Sequence, residues 1–206
     1  YTNMILAIAS QKGGTGKTTT SITLSAGLGK LGYKVLLIDI DSQANASKVL
    51  VDDYVSLSKD KTIYSTIVGK KTLSVHPTTC ENVDIVPSHI LLSETDVELT
   101  TARDHREARL KRQLDKIKDE YDHIIIDCPP SLSWLTINAF TASEKILVVI
   151  SPGYFELDSI NQINKTLSEV KELFNPNLAL AGYLFNMSDP TNATKVSLKL
   201  LRQTYT

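Results

Sequence analysis

Short apolar segments alternate with longer amphipathic segments along the chain. The short segments are rich in β-branched side chains and nearly continuous in hydrophobicity, as is typical of strands covered on both faces of a sheet. They predict strands over residues 4–9, 34–39, 83–86, 123–127, 145–151 and 178–185. The longer segments predict helices over residues 17–31, 104–121, 135–142, 158–174 and 193–204. This alternation predicts a doubly wound α/β fold with a mostly parallel sheet and helices on both faces.

Two of the predicted helices carry further signals. The first is followed by Gly32, a residue type that favours the left-handed conformation after a helix. The 104–121 segment has apolar residues at spacings of four, three and four, namely Leu110, Leu114, Ile117 and Tyr121. This spacing predicts one apolar stripe, and the many charged residues between its members predict a solvated face.

Composition narrows the class of protein. The 206 residues include 22 basic and 23 acidic side chains, for a formal net charge of −1, and 42% are apolar. These values are ordinary for a soluble globular protein, and we predict a single domain over residues 1–206. No apolar run reaches the roughly 18 residues of a membrane-spanning helix. Two cysteines, Cys80 and Cys128, cannot form a disulfide framework, and no signal peptide is recognisable, so we expect a reduced, cytoplasmic protein.

The strongest chemical signal follows the first predicted strand. Residues 11–19 read Gln-Lys-Gly-Gly-Thr-Gly-Lys-Thr-Thr. Glycines allow backbone N–H groups to approach phosphate oxygens, and the helix that begins here directs its positive end at the same anion. Lys17 would place an ammonium among the outer phosphates, and the Thr18 hydroxyl would bind Mg²⁺. A glycine-rich turn without a ligand is the alternative, but the strand–loop–helix context is the one that a phosphate-binding loop requires.

The loop departs from the usual Walker A pattern at its first two residues. Gln11 stands where that pattern has glycine, and Lys12 directly precedes the glycines. A second lysine beside the phosphates would repel Lys17 within one subunit. It is better explained if Lys12 reaches a nucleotide held by a neighbouring subunit, where it would stabilise charge on the transferred phosphoryl group.

Acidic residues end two other predicted strands. Asp39 and Asp41 follow the second strand and share a face of an extended segment, and Asp127 ends the apolar run 123–126. The carboxyl ends of parallel strands are where ligands bind in such folds, and a carboxylate in the position of Asp127 typically holds Mg²⁺. The alternatives are a solvated turn at 39–41 and a turn-capping Asp127.

Together these motifs resemble the ParA/MinD family of deviant Walker A ATPases, and most closely its ParA-type partition proteins. The resemblance rests on residues 12–19, 37–45 and 127–132, and the run 135–139 is similar to the helix that follows in the family. Weaker similarity continues through 86–88 and 154–163, so that the resemblance covers nearly the whole chain. The phosphate loop is specific for the superfamily, whereas residues 41–45 and 127–132 favour the ParA branch.

The resemblance implies a Mg²⁺-dependent ATPase that forms a homodimer when ATP is bound. It implies that the dimer binds DNA without sequence preference, in the cytoplasm and on the nucleoid. It also implies a ParB-type centromere-binding partner, which stimulates hydrolysis and releases the dimer. We expect no association with membranes.

The resemblance also assigns roles by motif position. The catalytic residues would be Lys12, which crosses the dimer, Lys17, which contacts phosphates, and Asp41, which positions the attacking water. The metal site would comprise Thr18, Asp39 and Asp127. The nucleotide-binding residues would be Gly13, Gly14, Thr15, Gly16, Lys17, Thr18, Thr19, which lies near the α-phosphate, and Asn186, which lies near the adenine.

Three other functions compete with partition. A MinD-like membrane-cycling ATPase would need a basic amphipathic C-terminal helix, and no clear one is present. A redox ATPase like the nitrogenase iron protein would need two cysteines that share a cluster, which the positions of Cys80 and Cys128 exclude. A metabolic kinase or ligase is disfavoured by Lys12, because a cross-subunit lysine suits hydrolysis gated by dimerisation better than phosphoryl transfer to a small acceptor.

The C-terminal part of the chain is the least informative. Family members often run about 50 residues longer, within ordinary domain size, and we expect that this chain lacks their C-terminal end. Lys195, Lys199 and Arg202 lie on one face of the last predicted helix. They form either a solvated face or a surface that contacts DNA phosphates.

Overall fold

A computed structural model describes residues 4–69, 71–152, 156–188, 194, 195 and 199. Its strands are β1 (Met4–Ala9), β2 (Val35–Asp39), β3 (His76–Pro77), β4 (Val83–Val86), β5 (His123–Asp127), β6 (Lys145–Ile150) and β7 (Ala179–Phe185). Its helices are α1 (Lys17–Lys30), α2 (Asn45–Leu50), α3 (Ile63–Ile67), α4 (Thr95–Thr101), α5 (Arg109–Leu114), α6 (Trp134–Ala142) and α7 (Glu156–Leu173). The six predicted strands are confirmed to within one residue at each end.

The strands of the described residues form one sheet in the order β3-β4-β2-β5-β1-β6-β7. The two-residue β3 pairs antiparallel with β4, and every other pairing is parallel. The connection from β1 to β2 passes over β5 in one direction, and that from β5 to β6 passes over β1 in the other. Right-handed connections in opposite directions place α1 and α6 on opposite faces, which confirms the doubly wound α/β prediction.

Both faces of the inner strands β4, β2, β5, β1 and β6 are largely buried, which explains their continuous hydrophobicity. Successive residues of β1 alternate between two cores: Ile5 and Ala7 face the core beneath α6, whereas Leu6 and Ile8 face the core beneath α1 and α2. Cys128 is buried next to β5, and both cysteines are free thiols. At the end of α1, Gly32 has a φ of 90° and its amide donates to the Gly29 carbonyl, as predicted.

The predicted helix over 104–121 is wrong in its continuity. The structure has a 3₁₀ turn at Arg106–Ala108, then α5, and a second 3₁₀ turn at Lys118–Glu120. Asn138 of α6 accounts for the first of these breaks: its Nδ2 donates to the Arg106 carbonyl at 2.7 Å, and its Oδ1 accepts from the Leu110 amide at 3.2 Å. In a continuous helix the Leu110 amide would donate to the Arg106 carbonyl. The Asn138 side chain takes the place of this helical hydrogen bond, and α5 begins as a separate helix.

The apolar stripe of this segment nevertheless faces the core. Leu110, Leu114 and Tyr121 are buried, and Ile117 packs against the same core cluster. The predicted helix over 193–204 lies outside the described residues except for Thr194, Lys195 and Lys199, and Lys195 and Lys199 are exposed. The single domain over 1–206 stays a prediction.

Candidate functional site

The glycine-rich loop connects β1 to the first turn of α1. Gly14 and Gly16 have φ values of 77° and 90°, in the left-handed region that favours glycine. At Gly16 the side-chain amide of Asn186 packs directly against the backbone, so an added Cβ would have to displace it. A Cβ at Gly13 or Gly14 would meet nothing within 4 Å, so this side of the loop is open. The loop therefore exposes backbone at the N-terminus of α1, where the helix dipole favours an anion.

Lys17 is the first residue of α1, and its side chain is buried. Its ammonium donates to the Lys12 carbonyl at 3.4 Å. Burial lowers the pKa of Lys17, whereas the nearby carboxylates of Asp127 and Asp41 raise it. The site thus holds a buried cation near two carboxylates and beside an open phosphate-type loop.

The other loop residues divide between the interior and the surface. The Lys12 side chain is exposed, and its backbone amide donates to the Ser10 hydroxyl at 3.3 Å. Thr15 is fully buried, and its hydroxyl has no hydrogen-bond partner among the residues described. Thr18 is half-buried and Thr19 is exposed.

Asp127 ends β5 next to the phosphate loop. Its Oδ1 accepts from the Ser21 hydroxyl at 3.0 Å, whereas its buried Oδ2 has no hydrogen-bond partner in the described part of the chain. Desolvation raises the pKa of Asp127 to about 6, although the hydroxyls of Thr18 and Ser21 and the Lys17 ammonium oppose this. A buried carboxylate oxygen without a donor is suited to a metal ion or to water bound to one.

Asp39 ends β2 and pairs in register with Asp127 on β5. It is fully buried, yet both of its oxygens accept protein donors. Its Oδ2 accepts from the Ser47 amide at 2.9 Å and the Ser47 hydroxyl at 2.7 Å, and its Oδ1 accepts from the Asp41 amide at 3.2 Å. Desolvation and then the charge of Asp127 raise the pKa of Asp39 to about 7, against the effect of these hydrogen bonds.

Asp41 lies two residues beyond β2 and faces the phosphate loop. Its Oδ1 accepts from the Gln43 amide at 3.0 Å, and its carbonyl accepts from the Ala44 amide at 2.8 Å. The turn ends at Ala44, which has a φ of 53° although it is not glycine. Such a backbone needs support from its surroundings, as strained residues at functional sites commonly do.

Seven of the twelve predicted site residues line one cavity of about 370 Å³, whereas Lys12, Thr15, Asn186, Asp39 and Asp127 do not. Its lining comprises Gly13, Gly14, Gly16, Lys17, Thr18, Thr19, Asp41, Gln43, Asn45, Pro130 and Met187. The fully buried Asp39 and Asp127 are outside this lining and stand behind it. The structure therefore brings the glycine loop, Lys17 and Asp41 to a common surface, and places the two strand-end carboxylates in the layer beneath.

Asn186 follows β7 and contacts the phosphate loop. Its Nδ2 donates to the Thr15 carbonyl at 2.8 Å. Asn186 also lines a second cavity of about 580 Å³, which extends along α1 past Thr20, Leu24 and Leu28. The residue thus stands where the phosphate loop meets a larger, mostly apolar space.

The site contains three serines that the motifs did not indicate. Ser21 binds Asp127, Ser47 binds Asp39, and Ser88 donates from its hydroxyl to the Asp41 carbonyl. Ser21 lies one helical turn after Lys17, so its helical position was a usable signal. Ser47 and Ser88 meet because α2 and the end of β4 pack beside β2. This contact joins segments that are distant in sequence, so no local pattern predicts it.

The residues present fit a nucleotide with Mg²⁺. The open glycine loop and the buried ammonium suit phosphates. The Asp127 Oδ2, which no described residue hydrogen-bonds, suits a hydrated cation. Among the residues the structure describes, no three His, Cys, Asp or Glu side chains converge as a metal cage. This agrees with the chemistry of Mg²⁺, which usually takes one or two carboxylates and completes its shell with waters and phosphates.

A parallel sheet with this loop, this lysine and this carboxylate defines a P-loop nucleotide-binding protein. Residues 3–180 match a family described as an AAA domain. The chain is 41% identical to the sporulation initiation inhibitor protein Soj of Bacillus subtilis, over 90% of this chain and 73% of Soj. It is 38% identical to the chromosome partitioning protein ParA of Myxococcus xanthus, over 90% of this chain and 65% of that protein. The chain belongs to this family and, within it, to the ParA/MinD-type partition ATPases.

Solved structures are similar over the whole described fold. Cobyrinic acid a,c-diamide synthase from Mycobacterium smegmatis, with a bound ATP analogue and magnesium, is 33% identical with a TM-score of 0.91, over 99% of this chain and 83% of that one. A plasmid partition protein from Borrelia burgdorferi is 25% identical with a TM-score of 0.84, over 100% of this chain and 87% of that one. No helix in the described residues is both long and apolar enough to cross a membrane.

Proposed function

We propose that this protein binds ATP with Mg²⁺ and hydrolyses it to drive the partition of DNA. The observation that carries the proposal is the cavity in which the glycine loop, the buried Lys17 and Asp41 share one surface. The relatives named Soj and ParA, and the nucleotide-bound structure from Mycobacterium smegmatis, support it.

Each residue has a chemical role in this proposal. The loop amides and Lys17 would bind the phosphates, and Thr19 would lie near the α-phosphate. Thr18 and Asp127 would hold the region of Mg²⁺, with Asp39 behind them. When bound, Mg²⁺ would neutralise charge that develops on the phosphate oxygens. Asp41 would orient the attacking water as a general base or a positioning group.

Asn186 is proposed to lie near the adenine. Its contact with Thr15 places it beside the phosphate loop, and the cavity along α1 provides a space that is largely apolar. A purine ring is buried favourably by such a surface, provided that a few polar groups orient it.

Lys12 is proposed to act across a dimer. Its side chain is exposed on the loop beside the cavity, where a partner's nucleotide would approach. We expect Lys12→Ala to retain much of its nucleotide affinity and to lose ATP-dependent dimerisation or turnover. Analytical ultracentrifugation with ATP and a turnover assay test this, with Lys30→Ala at the far end of α1 as the control. Normal dimers with normal turnover would contradict the role.

The dimer is proposed to bind DNA without sequence preference and to act in the cytoplasm on the nucleoid, with a ParB-type partner that stimulates hydrolysis. The loop lysine favours this cycle over a small-molecule synthase, because a cross-subunit cation suits hydrolysis that is gated by dimerisation. Because phosphate contacts release counterions, DNA binding should weaken steeply with salt.

Cosedimentation separates partition from the membrane alternative. The protein is mixed with nonspecific duplex DNA or with anionic lipid vesicles, each with and without ATP and Mg²⁺. We expect pelleting with DNA only, and only when ATP is present. ATP-dependent pelleting with vesicles would favour a MinD-like function, and equal DNA binding with and without ATP would contradict the cycle.

The Asp41→Ala variant tests the proposed role of Asp41 in the chemical step. We expect it to retain ATP-dependent DNA binding while turnover falls at least about 100-fold, the usual range for loss of a general base. Turnover at the wild-type rate in this variant would refute the role of Asp41.

A further inference from the structure

A buried bridge of two serines holds the turn that carries Asp41. The Ser88 amide donates to the Ser47 hydroxyl at 2.7 Å, and the Ser88 hydroxyl donates to the Asp41 carbonyl. Ser47 in turn donates to Asp39, whose other oxygen accepts from the Asp41 amide. Both serines are fully buried, so these hydrogen bonds are shielded from competition with water. We call these two residues the serine bridge.

The bridge joins segments that are distant in sequence. Ser88 lies two residues beyond β4, Ser47 lies in α2, and Asp41 lies beyond β2. Strand β4 is hydrogen-bonded to β2 in register, with Val86 opposite Ile38, so the ends of the two strands emerge side by side. The hydroxyl of Tyr54 also donates to the Ser88 carbonyl at 3.2 Å, which anchors the bridge from its outer side.

The turn needs such an anchor. It closes at Ala44 in the left-handed region, a conformation that is strained for a residue other than glycine. The hydrogen bonds within the turn, from Gln43 and Ala44, are all local. Among the described residues, the bridge alone ties the Asp41 backbone to the sheet on its β4 side, and it thereby holds the Asp41 carboxylate relative to the phosphate loop.

We propose that Ser88, with Ser47, is a positioning residue for Asp41. The Ser88 hydroxyl contacts the Asp41 backbone, and its amide contacts Ser47, which in turn binds Asp39. Within the described part of the chain, no hydrogen bond of the two serines reaches the glycine loop or Lys17, so the bridge acts on the chemical step and not on nucleotide binding. This inference rests on the proposed role of Asp41 as the residue that orients water.

The test compares Ser88→Ala with Ser25→Ala. Ser25 is also fully buried, but its hydroxyl has no hydrogen-bond partner among the described residues, which makes it a matched control. ATP turnover at saturating Mg²⁺–ATP gives kcat, and calorimetric titration with a non-hydrolysable ATP analogue gives the affinity. We expect Ser88→Ala to lower kcat about 10-fold, since small displacements of a catalytic group cost up to about 10²-fold, while affinity stays within about threefold. Ser25→Ala should leave both unchanged.

Ser47→Ala is the second variant, should Ser88→Ala fail to fold. It removes the other half of the bridge and should lower kcat in the same way with affinity retained. If folded variants keep kcat within about twofold of the wild type, or lose kcat and affinity together, the positioning role is wrong. Wild-type turnover in Asp41→Ala would instead refute the proposed function itself, so the two failures are distinguishable.

Discussion

The ends of β2 and β5 carry two carboxylates in equivalent places with different surroundings. Asp39 and Asp127 are paired in register on neighbouring strands, and both are buried. Asp39 accepts three protein hydrogen bonds over its two oxygens. Asp127 accepts one from Ser21, the nearby Thr18 hydroxyl also lowers its pKa, and its Oδ2 has no described hydrogen-bond partner. Burial raises the pKa of both, so the difference lies in hydrogen bonding.

This comparison separates architecture from ligand binding. A buried carboxylate whose acceptors are filled by the protein organises the chain around it, here α2 and the turn at Asp41. A buried carboxylate oxygen without a protein donor can instead bind a ligand, such as a metal ion or a water molecule. On this reasoning Asp127 would hold the Mg²⁺ region directly or through water, and Asp39 would support it through its neighbours. The metal role of Asp39 stays a prediction.

The largest effect should come from Asp127→Asn. The amide keeps the size of the side chain but removes the charge next to Lys17, so Mg²⁺-dependent turnover should fall about 100-fold. Titration of turnover with Mg²⁺ measures this, and the midpoint should move to higher Mg²⁺. Asp122→Asn, an exposed position directly before the same strand, is the control. An unchanged Mg²⁺ midpoint would remove Asp127 from the metal region.

Asp39→Asn should have a smaller effect on activity and a clear effect on stability. In Asp39→Asn, the side-chain NH₂ would replace an oxygen that accepts hydrogen bonds from backbone amides or the Ser47 hydroxyl. Donors would then face a donor, so the free energy of unfolding should fall by about 1–3 kcal/mol. Urea unfolding at pH 6 measures this loss. Turnover should fall less than about tenfold, with the Mg²⁺ midpoint unchanged. A midpoint that moves as far as in Asp127→Asn would show that the two carboxylates are equivalent and break the comparison.

The smallest effect is a difference in pH dependence. The pKa of Asp39 is raised from 3.8 to about 7 on folding, so the native state binds more protons between these values. Its contribution to stability is therefore complete below pH 4 and is lost as the pH rises through 7. Wild-type protein should lose more unfolding free energy between pH 5 and pH 8 than Asp39→Asn does. Urea unfolding at both values, without nucleotide, tests this, and parallel losses would contradict the raised pKa.

Much of the fold and of the phosphate site could be predicted from local sequence. Strands buried on both faces must be apolar at nearly every position, so their runs are visible along the chain. The glycine loop is equally local, because its backbone conformation depends on which residues lack a Cβ. The structure confirms the strands and brings the loop glycines, Lys17 and Asp41 to one cavity.

Other features depend on residues that are far apart in sequence. The segment around α5 has the periodicity of a helix, but the side-chain amide of Asn138, brought from α6, replaces the helical bond between Arg106 and Leu110. Asn186 reaches Thr15 from the other end of the described chain, and Ser88 reaches Asp41 from a neighbouring strand. The sequence by itself determined which residues carry charge, acceptors and backbone freedom. The tertiary structure decided which buried acceptors are filled by the protein and which remain for a ligand, because a hydrogen bond depends on distances that only packing sets.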